Sequence, residues 1–205
     1  MRLESHRASS LELRGERITL RPPRSGDARA FGLLRKKSAP VYRGLMVPFT
    51  GKDLFAEYLQ RCRRDDFFGF LICRNFDGVI LGNINLFHVV LQRLRSACVG
   101  YFVGAPFSRN GYASEALQLV LRFAFQQVKL NRVEANIQPQ NAPSLAMVKR
   151  AGFTREGYSR RYLKIAGRWR DHERWAMLAE DWADAWYEEN RSESFSLYSV
   201  ALPRQ

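Results

Sequence analysis

Cysteine and histidine are scarce in this chain, with three of each among 205 residues. The cysteines are Cys62, Cys73 and Cys98, and the histidines are His6, His88 and His172. Their separations do not match the paired ligands of a zinc site, and the odd number of cysteines argues against a disulfide framework. We therefore expect free thiols in a reducing, cytoplasmic compartment and no metal site.

Long apolar runs are also missing. No stretch approaches the roughly 18 apolar residues of a membrane-spanning helix, and residues 1–7 lack the apolar segment of a secretory signal. We therefore expect no membrane association. The length and the 46% hydrophobic content fit one domain with a sizeable core. That domain is expected over residues 14–190, after an N-terminal extension (1–13) and before a polar C-terminal tail (191–205).

Acidic residues are in short supply. The chain has 33 Lys and Arg against 20 Asp and Glu, for a net charge of +13. Six of the acidic residues lie after position 179 together with only two arginines, so residues 1–179 carry +17. Two interpretations remain open. The excess basic side chains either lie on surfaces that contact only solvent, or form a surface for sequence-independent contact with the phosphates of ribosomal RNA.

A strand, a turn of small residues and a helix are indicated in succession from Gly100 onward. The turn covers residues 108–111, and the helix begins at residues 112–114. Apolar residues then recur at helical spacing: Ala113, Leu117, Val120, Leu121, Ala124 and Val128. The unpaired N–H groups and the dipole of such a helix start attract anions. A strand–turn–helix without a ligand has the same pattern, because short glycine motifs are unspecific.

A second, shorter helix has clear start and stop signals. Asn141 is a good N-cap, Pro143 is tolerated in the first turn, and Gly152 stands where the helix would end. Its inward residues are expected to be Leu145, Val148 and Ala151. The remaining pattern predicts a mixed α+β sheet. Strands are expected at 16–22, 68–73, 79–89, 97–103, 132–138, 153–165 and 168–178, and helices at 27–37 with Ser25 as cap, at 51–65, and around Trp182 and Trp186.

Five segments in this order resemble the GNAT N-acetyltransferases. They cover residues 109–117, 130–135, 141–144, 149–157 and 162–172. The second, fourth and fifth are similar to the ribosomal-protein-alanine N-acetyltransferases, the RimJ/RimL-like branch. The resemblance spans about residues 14–182. It implies the GNAT fold, a mixed central sheet with two splayed strands flanked by helices, and acetyl-CoA as co-substrate.

The resemblance also implies roles for individual residues. Pantetheine would pair with the backbone of Phe102 and Val103, and the Val103 N–H would donate to the thioester carbonyl. The pyrophosphate would lie on Arg109, Asn110, Gly111, Tyr112, Ala113 and Ser114. Asn141 would bond the pantetheine arm, and Ser144 would protonate the departing thiolate, unless it only bonds the backbone. Ser108 departs from the family pattern, which has Gln or Arg there.

The proton acceptor and the substrate amine stay open at this stage. Leu163 falls near the position of a Glu that some relatives use as base. The candidates here are Glu134, His172 and Glu173, reached through water, or a substrate amine that arrives neutral. An α-amine has a pKa of about 7.7–8.0 against about 10.4 for lysine, which favours a protein N-terminus over a lysine side chain as acceptor. The resemblance implies a ribosomal protein that begins with Ala or Ser. The alternatives are a small amine such as an aminoglycoside or polyamine, and a ribosome-associated binding factor with a vestigial acetyl-CoA site.

Overall fold

A computed structural model describes residues 11–45 and 54–183 of the chain. One mixed sheet contains eight strands: Leu13–Arg14 (β1), Ile18–Arg21 (β2), Phe67–Arg74 (β3), Ile80–Val90 (β4), Ser96–Val103 (β5), Arg132–Ile137 (β6), Thr154–Ile165 (β7) and Arg168–Leu178 (β8). Their order in the sheet is β1-β2-β3-β4-β5-β6-β8-β7. Only β5 and β6 run parallel. The predicted mixed sheet is therefore present.

Within the part of the chain that the structure describes, α-helices flank this sheet at Ala28–Ser38 (α1), Leu54–Arg61 (α2), Tyr112–Arg122 (α3) and Ala142–Arg150 (α4), and residues 179–183 are also helical. The second is shorter than the predicted helix at 51–65, of which residues 51–53 lie outside the described residues. In α4 the buried residues are Ser144, Met147 and Val148, so Met147 is buried in addition to the predicted Val148, while Leu145 and Ala151 are half-buried. Among the described residues, no helix is long and apolar enough to cross a membrane.

The start of α1 differs from the prediction. Ser25 does not cap this helix, because residues 25–27 form a 3-10 turn ahead of it. The Asp27 carboxylate holds that turn, accepting from the backbone N–H of Arg24 at 2.7 Å and from the guanidinium of Arg21 at 2.7 and 2.8 Å. A carboxylate held by two charge-assisted bonds is a stronger local anchor than a serine hydroxyl.

The end of α3 also differs. Instead of keeping its regular spacing to Val128, the helix widens into a π turn at Phe123–Gln127, where the N–H of Val128 donates to the carbonyl of Phe123. The wider turn lets neighbouring residues reach different parts of the core. Phe123 packs against Phe68 and Phe70 at centroid distances of 5.2 and 5.6 Å, while Phe125 lies 5.6 Å from Trp182. Aromatic packing therefore overrides the regular helical period here.

Apolar residues on each face of the sheet form a separate cluster. The larger cluster lies under α3 and α4 and includes Ile84, Val103 and Leu117. The smaller one lies under α1 and α2 and includes Phe31, Phe55, Leu71 and Phe102. Successive residues of β5 therefore point into different clusters, as alternation along a strand requires.

The chain termini bear on the predicted domain limits. Leu13 pairs with Leu20 and is buried, so the first strand begins one residue before the expected boundary at residue 14. Trp182 is buried in the larger cluster. Residues 1–10, Trp186 and the predicted tail lie outside the described residues, so the other domain limits stay predictions.

Candidate active site

The sheet opens between β5 and β6. Only three residue pairs join these strands: Ser96 with Arg132, Ala97 with Val133 and Cys98 with Glu134. Beyond them, residues 99–103 remain paired with β4, and residues 135–137 remain paired with β8. The two parallel strands therefore diverge toward their C-terminal ends, as the sequence resemblance implied.

The register of β5 decides which backbone groups face this opening. The N–H of Gly104 donates to the carbonyl of Leu81 at 2.7 Å. Hydrogen-bonded pairs alternate in an antiparallel ladder, so Phe102 directs its N–H and carbonyl toward Asn83 of β4. Tyr101 and Val103 direct theirs toward the opening. The Val103 carbonyl there accepts from the Tyr42 hydroxyl at 2.6 Å.

This register corrects one predicted contact. Phe102 cannot offer its backbone to a ligand in the opening while β4 uses it. Its side chain is buried against Phe31 and Tyr42 on the opposite face, so it supports the strand from behind. Val103 keeps its N–H on the side where the prediction needs it. Tyr101 provides a second N–H there, which the sequence analysis missed.

The start of α3 follows directly after a tight turn. Gly111 is the N-cap residue and has φ +79°, a left-handed conformation that glycine adopts without strain. No side chain caps the helix, so the first N–H groups, those of Tyr112, Ala113 and Ser114, are not used by a capping side chain. This geometry fits an anion at the helix start.

Polar side chains hold the turn in shape before α3. The Asn110 amide donates to the carbonyls of Phe107 and Ser108 at 3.2 and 3.1 Å, and the Ser108 hydroxyl donates to the carbonyl of Ala105 at 2.8 Å. Ser108 therefore stabilises the turn from within. Arg109 has φ +64°, which bends the backbone in the same direction. A phosphate contact by Arg109 or Asn110, as predicted, would use backbone groups of a preformed turn.

Glu115 ties α3 to the first hairpin. Its carboxylate accepts from the backbone N–H groups of Arg17 and Ile18 at 2.8 and 3.3 Å and from Arg17 Nε at 3.0 Å. Arg17 also donates from Nη1 to the carbonyl of Asn110 at 3.0 Å, and its guanidinium lies 5.2 Å from the ring centroid of Tyr112. One salt bridge thereby fixes the turn, the helix start and β2.

The predicted acid, Ser144, contacts a side chain from the opened strand. The Ser144 hydroxyl lies 2.5 Å from the Tyr101 hydroxyl, and Ser144 is only 9% exposed. Asn141 accepts the Ser144 N–H on its Oδ1 at 3.4 Å, so it caps α4 as predicted. Burial raises the pKa of Tyr101 to about 12, although its hydrogen bond to Ser144 acts in the opposite direction. The Tyr101 hydroxyl was missed because no sequence pattern links β5 to α4.

The three candidate bases have different surroundings. Glu134 accepts from Arg132 Nε at 2.8 Å, and Glu173 accepts from Arg155 Nε at 2.9 Å and from Trp175 Nε1 at 3.1 Å. His172 is buried. Its ring lies 5.5 Å from that of Tyr162, and burial lowers its pKa.

Position on the sheet separates these bases further. His172 and Glu173 are neighbours in β8 and therefore point to opposite faces of the sheet. The structure does not bring the three together, and none contacts Ser144 through a hydrogen bond.

Polar groups line the opposite face of the opening, under α1 and α2. The Tyr58 hydroxyl donates to Asn85 Oδ1 at 2.7 Å. Two buried polar atoms there have no hydrogen-bond partner among the described residues, Asn136 Oδ1 on β6 and Arg170 Nε on β8. The Arg170 guanidinium lies beside Gly44, in the loop that also carries Tyr42. Within the described ranges, no group of three or more His, Cys, Asp or Glu side chains is placed to hold a metal ion.

Comparison with protein families and curated proteins gives concordant matches. The family model of the acetyltransferase (GNAT) domain matches residues 17–154. The chain is 36% identical over 125 residues to the probable N-acetyltransferase YjcK of Bacillus subtilis, covering 61% of this chain and 69% of that protein. It is 35% identical over 103 residues to the [ribosomal protein uS5]-alanine N-acetyltransferase of Escherichia coli, covering 50% of this chain and 53% of that enzyme. The match thus spans about half of the Escherichia coli enzyme.

Solved structures show the same arrangement of strands and helices. Mycobacterium smegmatis RimJ in complex with CoA-disulfide superimposes with a TM-score of 0.70 at 31% identity, over 82% of this chain and 88% of that one. Spermidine N-acetyltransferase from Vibrio cholerae, in complex with CoA and spermine, gives 0.71 at 19% identity, over 82% and 99%. At 19% identity the second likeness concerns the fold alone.

Proposed function

Because this chain belongs to the GNAT family of N-acetyltransferases, with the GNAT fold and acetyl-CoA as co-substrate, we propose that it acetylates the N-terminal α-amine of a protein. A ribosomal protein beginning with Ala or Ser is the proposed acceptor. Similarity to the uS5-alanine enzyme and to RimJ supports this choice. The observation that carries the proposal is the opening between β5 and β6, which joins an anion-binding helix start to a buried pair of hydroxyl groups.

The residues present fit acetyl-CoA. The N–H groups of residues 109–114 and the start of α3 would bind its pyrophosphate. The N–H groups of Tyr101 and Val103 would bind the pantetheine arm and the thioester carbonyl, and we keep Val103 as the proposed donor to that carbonyl. Asn141 would contact the arm from the start of α4. Acetyl-CoA supplies an acyl group activated as a thioester; the protein supplies position and protons.

Proton transfer is needed at two places. The acceptor amine loses a proton and the sulfur gains one. Ser144 is the proposed donor to the sulfur, since its hydroxyl lies on α4 at the opening and is shielded from solvent. An α-amine with a pKa of about 7.7–8.0 is partly neutral near pH 7, so it needs little help from a base. Neutral His172, on the opposite face of the sheet from Ser144, is the proposed relay for the proton that the acceptor amine loses.

Charge around the opening favours a peptide over a polycationic small amine. The Glu134 carboxylate on β6 is already paired with Arg132. The Arg35 guanidinium lies 4.7 Å from the ring centroid of Phe102, and the Arg170 guanidinium lies beside Gly44, in the loop that carries Tyr42. Positive charges at these positions repel aminoglycosides and polyamines, which carry several positive charges. The carboxylates and carbonyls of a peptide are compatible with it.

The direct test measures free-thiol release from acetyl-CoA with defined acceptors. Peptides beginning with Ala, Ser or Met are compared with a peptide that has a blocked N-terminus and one lysine, and with kanamycin and spermidine. We expect turnover only with free Ala and Ser termini. Turnover with spermidine or kanamycin alone would replace the proposal by small-amine acetylation. Binding of acetyl-CoA without transfer to any amine would support a binding factor.

Ser144 provides a second test. Replacing Ser144 by Ala should lower turnover about 10–100-fold, near the usual contribution of a single acid–base group. The affinity for acetyl-CoA should change little, because the Asn141 cap accepts from the backbone N–H, which remains. Wild-type turnover in Ser144→Ala would remove Ser144 from the mechanism.

We also propose that the β7–β8 hairpin contacts ribosomal RNA near the acceptor. Exposed cations toward its tip are Arg160, Arg161, Lys164 and Arg168, and Trp169 beside them is 60% exposed. The hairpin's three carboxylates have local partners: Glu156 with Arg132, Asp171 with the Tyr158 hydroxyl and the Arg161 N–H, and Glu173 with Arg155. Asp171 interacts with Arg160 and Arg161 and offsets part of their charge, but the cations near the tip outnumber this carboxylate. The tip therefore stays positive, and Trp169 offers a surface for base stacking.

Salt-dependent binding to a single-stranded RNA oligonucleotide tests the hairpin contact. Removing Arg160 and Arg161 together should weaken binding and reduce the slope of log K against log salt by about 2. The matched control replaces Arg93 and Arg95, which lie in the turn between β4 and β5, away from this hairpin. Equal losses in both double variants would mean that the chain binds RNA only through its overall charge.

A further inference from the structure

Two hydroxyl groups meet at the opening, and each has only one proton. Tyr101 Oη and Ser144 Oγ are 2.5 Å apart, and either atom has the chemistry to donate. If Ser144 donates to Tyr101, the Ser144 proton points toward Tyr101 and away from any ligand in the opening. If Tyr101 donates, Ser144 keeps its own proton for another acceptor. The direction of this one hydrogen bond therefore decides whether Ser144 can act as an acid.

The surroundings favour Tyr101 as the donor. A phenol O–H is a stronger acid than an aliphatic hydroxyl and is therefore the better donor of this pair. Burial raises the pKa of Tyr101 to about 12, so the phenol keeps the proton that it shares with Ser144. Ser144 itself is fixed from the other side, because its backbone N–H is held by the Asn141 cap in the first turn of α4. Tyr101 therefore presents its O–H to the side-chain oxygen of a serine whose backbone N–H is held by the cap of α4.

We propose that Tyr101 is a positioning residue, whose O–H donates to Ser144 Oγ and thereby directs the Ser144 proton toward the sulfur that leaves the acetyl group. This inference rests on the proposed role of Ser144 as the acid. Tyr101 contributes twice to the opening, since its backbone N–H faces the carrier while its side chain reaches α4. The role requires no contact between the Tyr101 ring and the substrate.

The proton balance of the step is closed. The C–S bond of the thioester breaks while the bond between the amine nitrogen and the acetyl carbon forms. The sulfur takes the proton of Ser144, the Ser144 oxygen takes the proton of Tyr101, and Tyr101 regains one from water, while the amine releases its proton to water through His172. The amine therefore loses one proton in total, and the thiol gains one.

Replacing Tyr101 by Phe tests the proposal, because it keeps the ring and removes only the hydroxyl. We expect kcat to fall about 10-fold, the equivalent of one directed hydrogen bond, with unchanged KM for acetyl-CoA and unchanged Tm. In a Ser144→Ala background, Tyr101→Phe should cause no further loss, because the group that it orients is already gone. Any amine that turns over serves as acceptor, so the result does not depend on the proposed ribosomal substrate.

Tyr42→Phe is the matched control. It removes a hydroxyl from the same opening, but that hydroxyl donates to the Val103 carbonyl and not to Ser144. Its effect on kcat should therefore add to that of Ser144→Ala instead of being absorbed by it.

Three outcomes would overturn the proposal. Full or increased turnover in Tyr101→Phe, with Ser144→Ala slow, would show that Ser144 was the donor to Tyr101 and would leave the acid role of Ser144 intact. Additive losses in the double variant would make Tyr101 independent of Ser144. Wild-type turnover in Ser144→Ala would remove both the acid and the residue that orients it.

Discussion

Glu115 links the turn before α3, which we propose binds phosphate, to the sheet, and replacing it by Ala should uncouple the two. The carboxylate is only 16% exposed, and it accepts hydrogen bonds from two backbone N–H groups and from the Arg17 guanidinium. The Arg17 side chain in turn donates to the carbonyl of Asn110 in the turn. The loss of one carboxylate therefore affects both the stability of the chain and the geometry of the turn.

The size of the loss follows from these contacts. Hydrogen bonds to charged groups contribute about 1.5–3 kcal/mol each when buried. Ile18 is fully buried, so its N–H would be left without a partner, whereas the Arg17 side chain is 48% exposed and can turn to water. We therefore expect Glu115→Ala to lower the free energy of unfolding by about 2–4 kcal/mol. Glu115→Gln keeps one acceptor oxygen and should cost about half as much.

Urea unfolding and calorimetric titration with acetyl-CoA measure the two effects. Both Glu115 variants should bind acetyl-CoA more weakly under conditions where they are folded, by about 5–20-fold, since the turn loses one of its fixed contacts. Glu16→Ala is the control, because Glu16 is exposed one residue before Arg17 and its side chain makes none of these contacts. If Glu115→Ala unfolded at the same urea concentration as Glu16→Ala, the salt bridge would not be an anchor.

Two further predictions concern packing and pH. Gly82→Ala should destabilise the chain by about 2–4 kcal/mol in urea unfolding, because its Cβ would stand 1.9 Å from the Phe102 carbonyl oxygen; unchanged stability would mean that β4 and β5 separate easily. His172→Gln should reduce the loss of stability between about pH 7.5 and about pH 5.5. Burial lowers the pKa of His172 in the folded chain, whereas the unfolded imidazole, with a pKa near 6.5, binds a proton in that interval and favours unfolding. Equal losses in both chains would contradict this.

Most of the strands and helices were predictable from local sequence patterns, because these elements depend mainly on residues that are neighbours in sequence. The hairpin of β3 and β4, the paired strands β7 and β8 and the caps of α3 and α4 follow from alternation, glycine positions and N-cap chemistry. The π turn after Arg122 does not, because it results from Phe123 and Phe125 packing against strands and a helix far away in sequence. The cap of α1 failed for the same reason, since Arg21 holds Asp27 from β2.

The sequence predicted those parts of the candidate site that consist of backbone groups in a short contiguous segment. The turn before α3 and the Asn141 cap are contiguous motifs, and the structure places them as the sequence suggested. Contacts between elements were not predictable. The hydrogen bond between Tyr101 and Ser144 joins residues 43 positions apart. The pairing of the Phe102 backbone with β4 depends on the register between two strands, which the sequence of one strand does not determine.

That register explains how one strand could support both the proposed binding and the proposed chemistry. Because side chains and backbone groups alternate along β5, the residues whose N–H groups face the opening are also those whose side chains point toward α3 and α4. Tyr101 can therefore reach Ser144 while Phe102 points into the cluster under α1 and α2. A slip by one residue would exchange these roles and place the Tyr101 hydroxyl on the wrong face. Gly82 permits the close approach of β4 to β5 at which this register holds. Gly82 thereby helps to place Tyr101 opposite Ser144, although it contacts neither Ser144 nor the turn before α3.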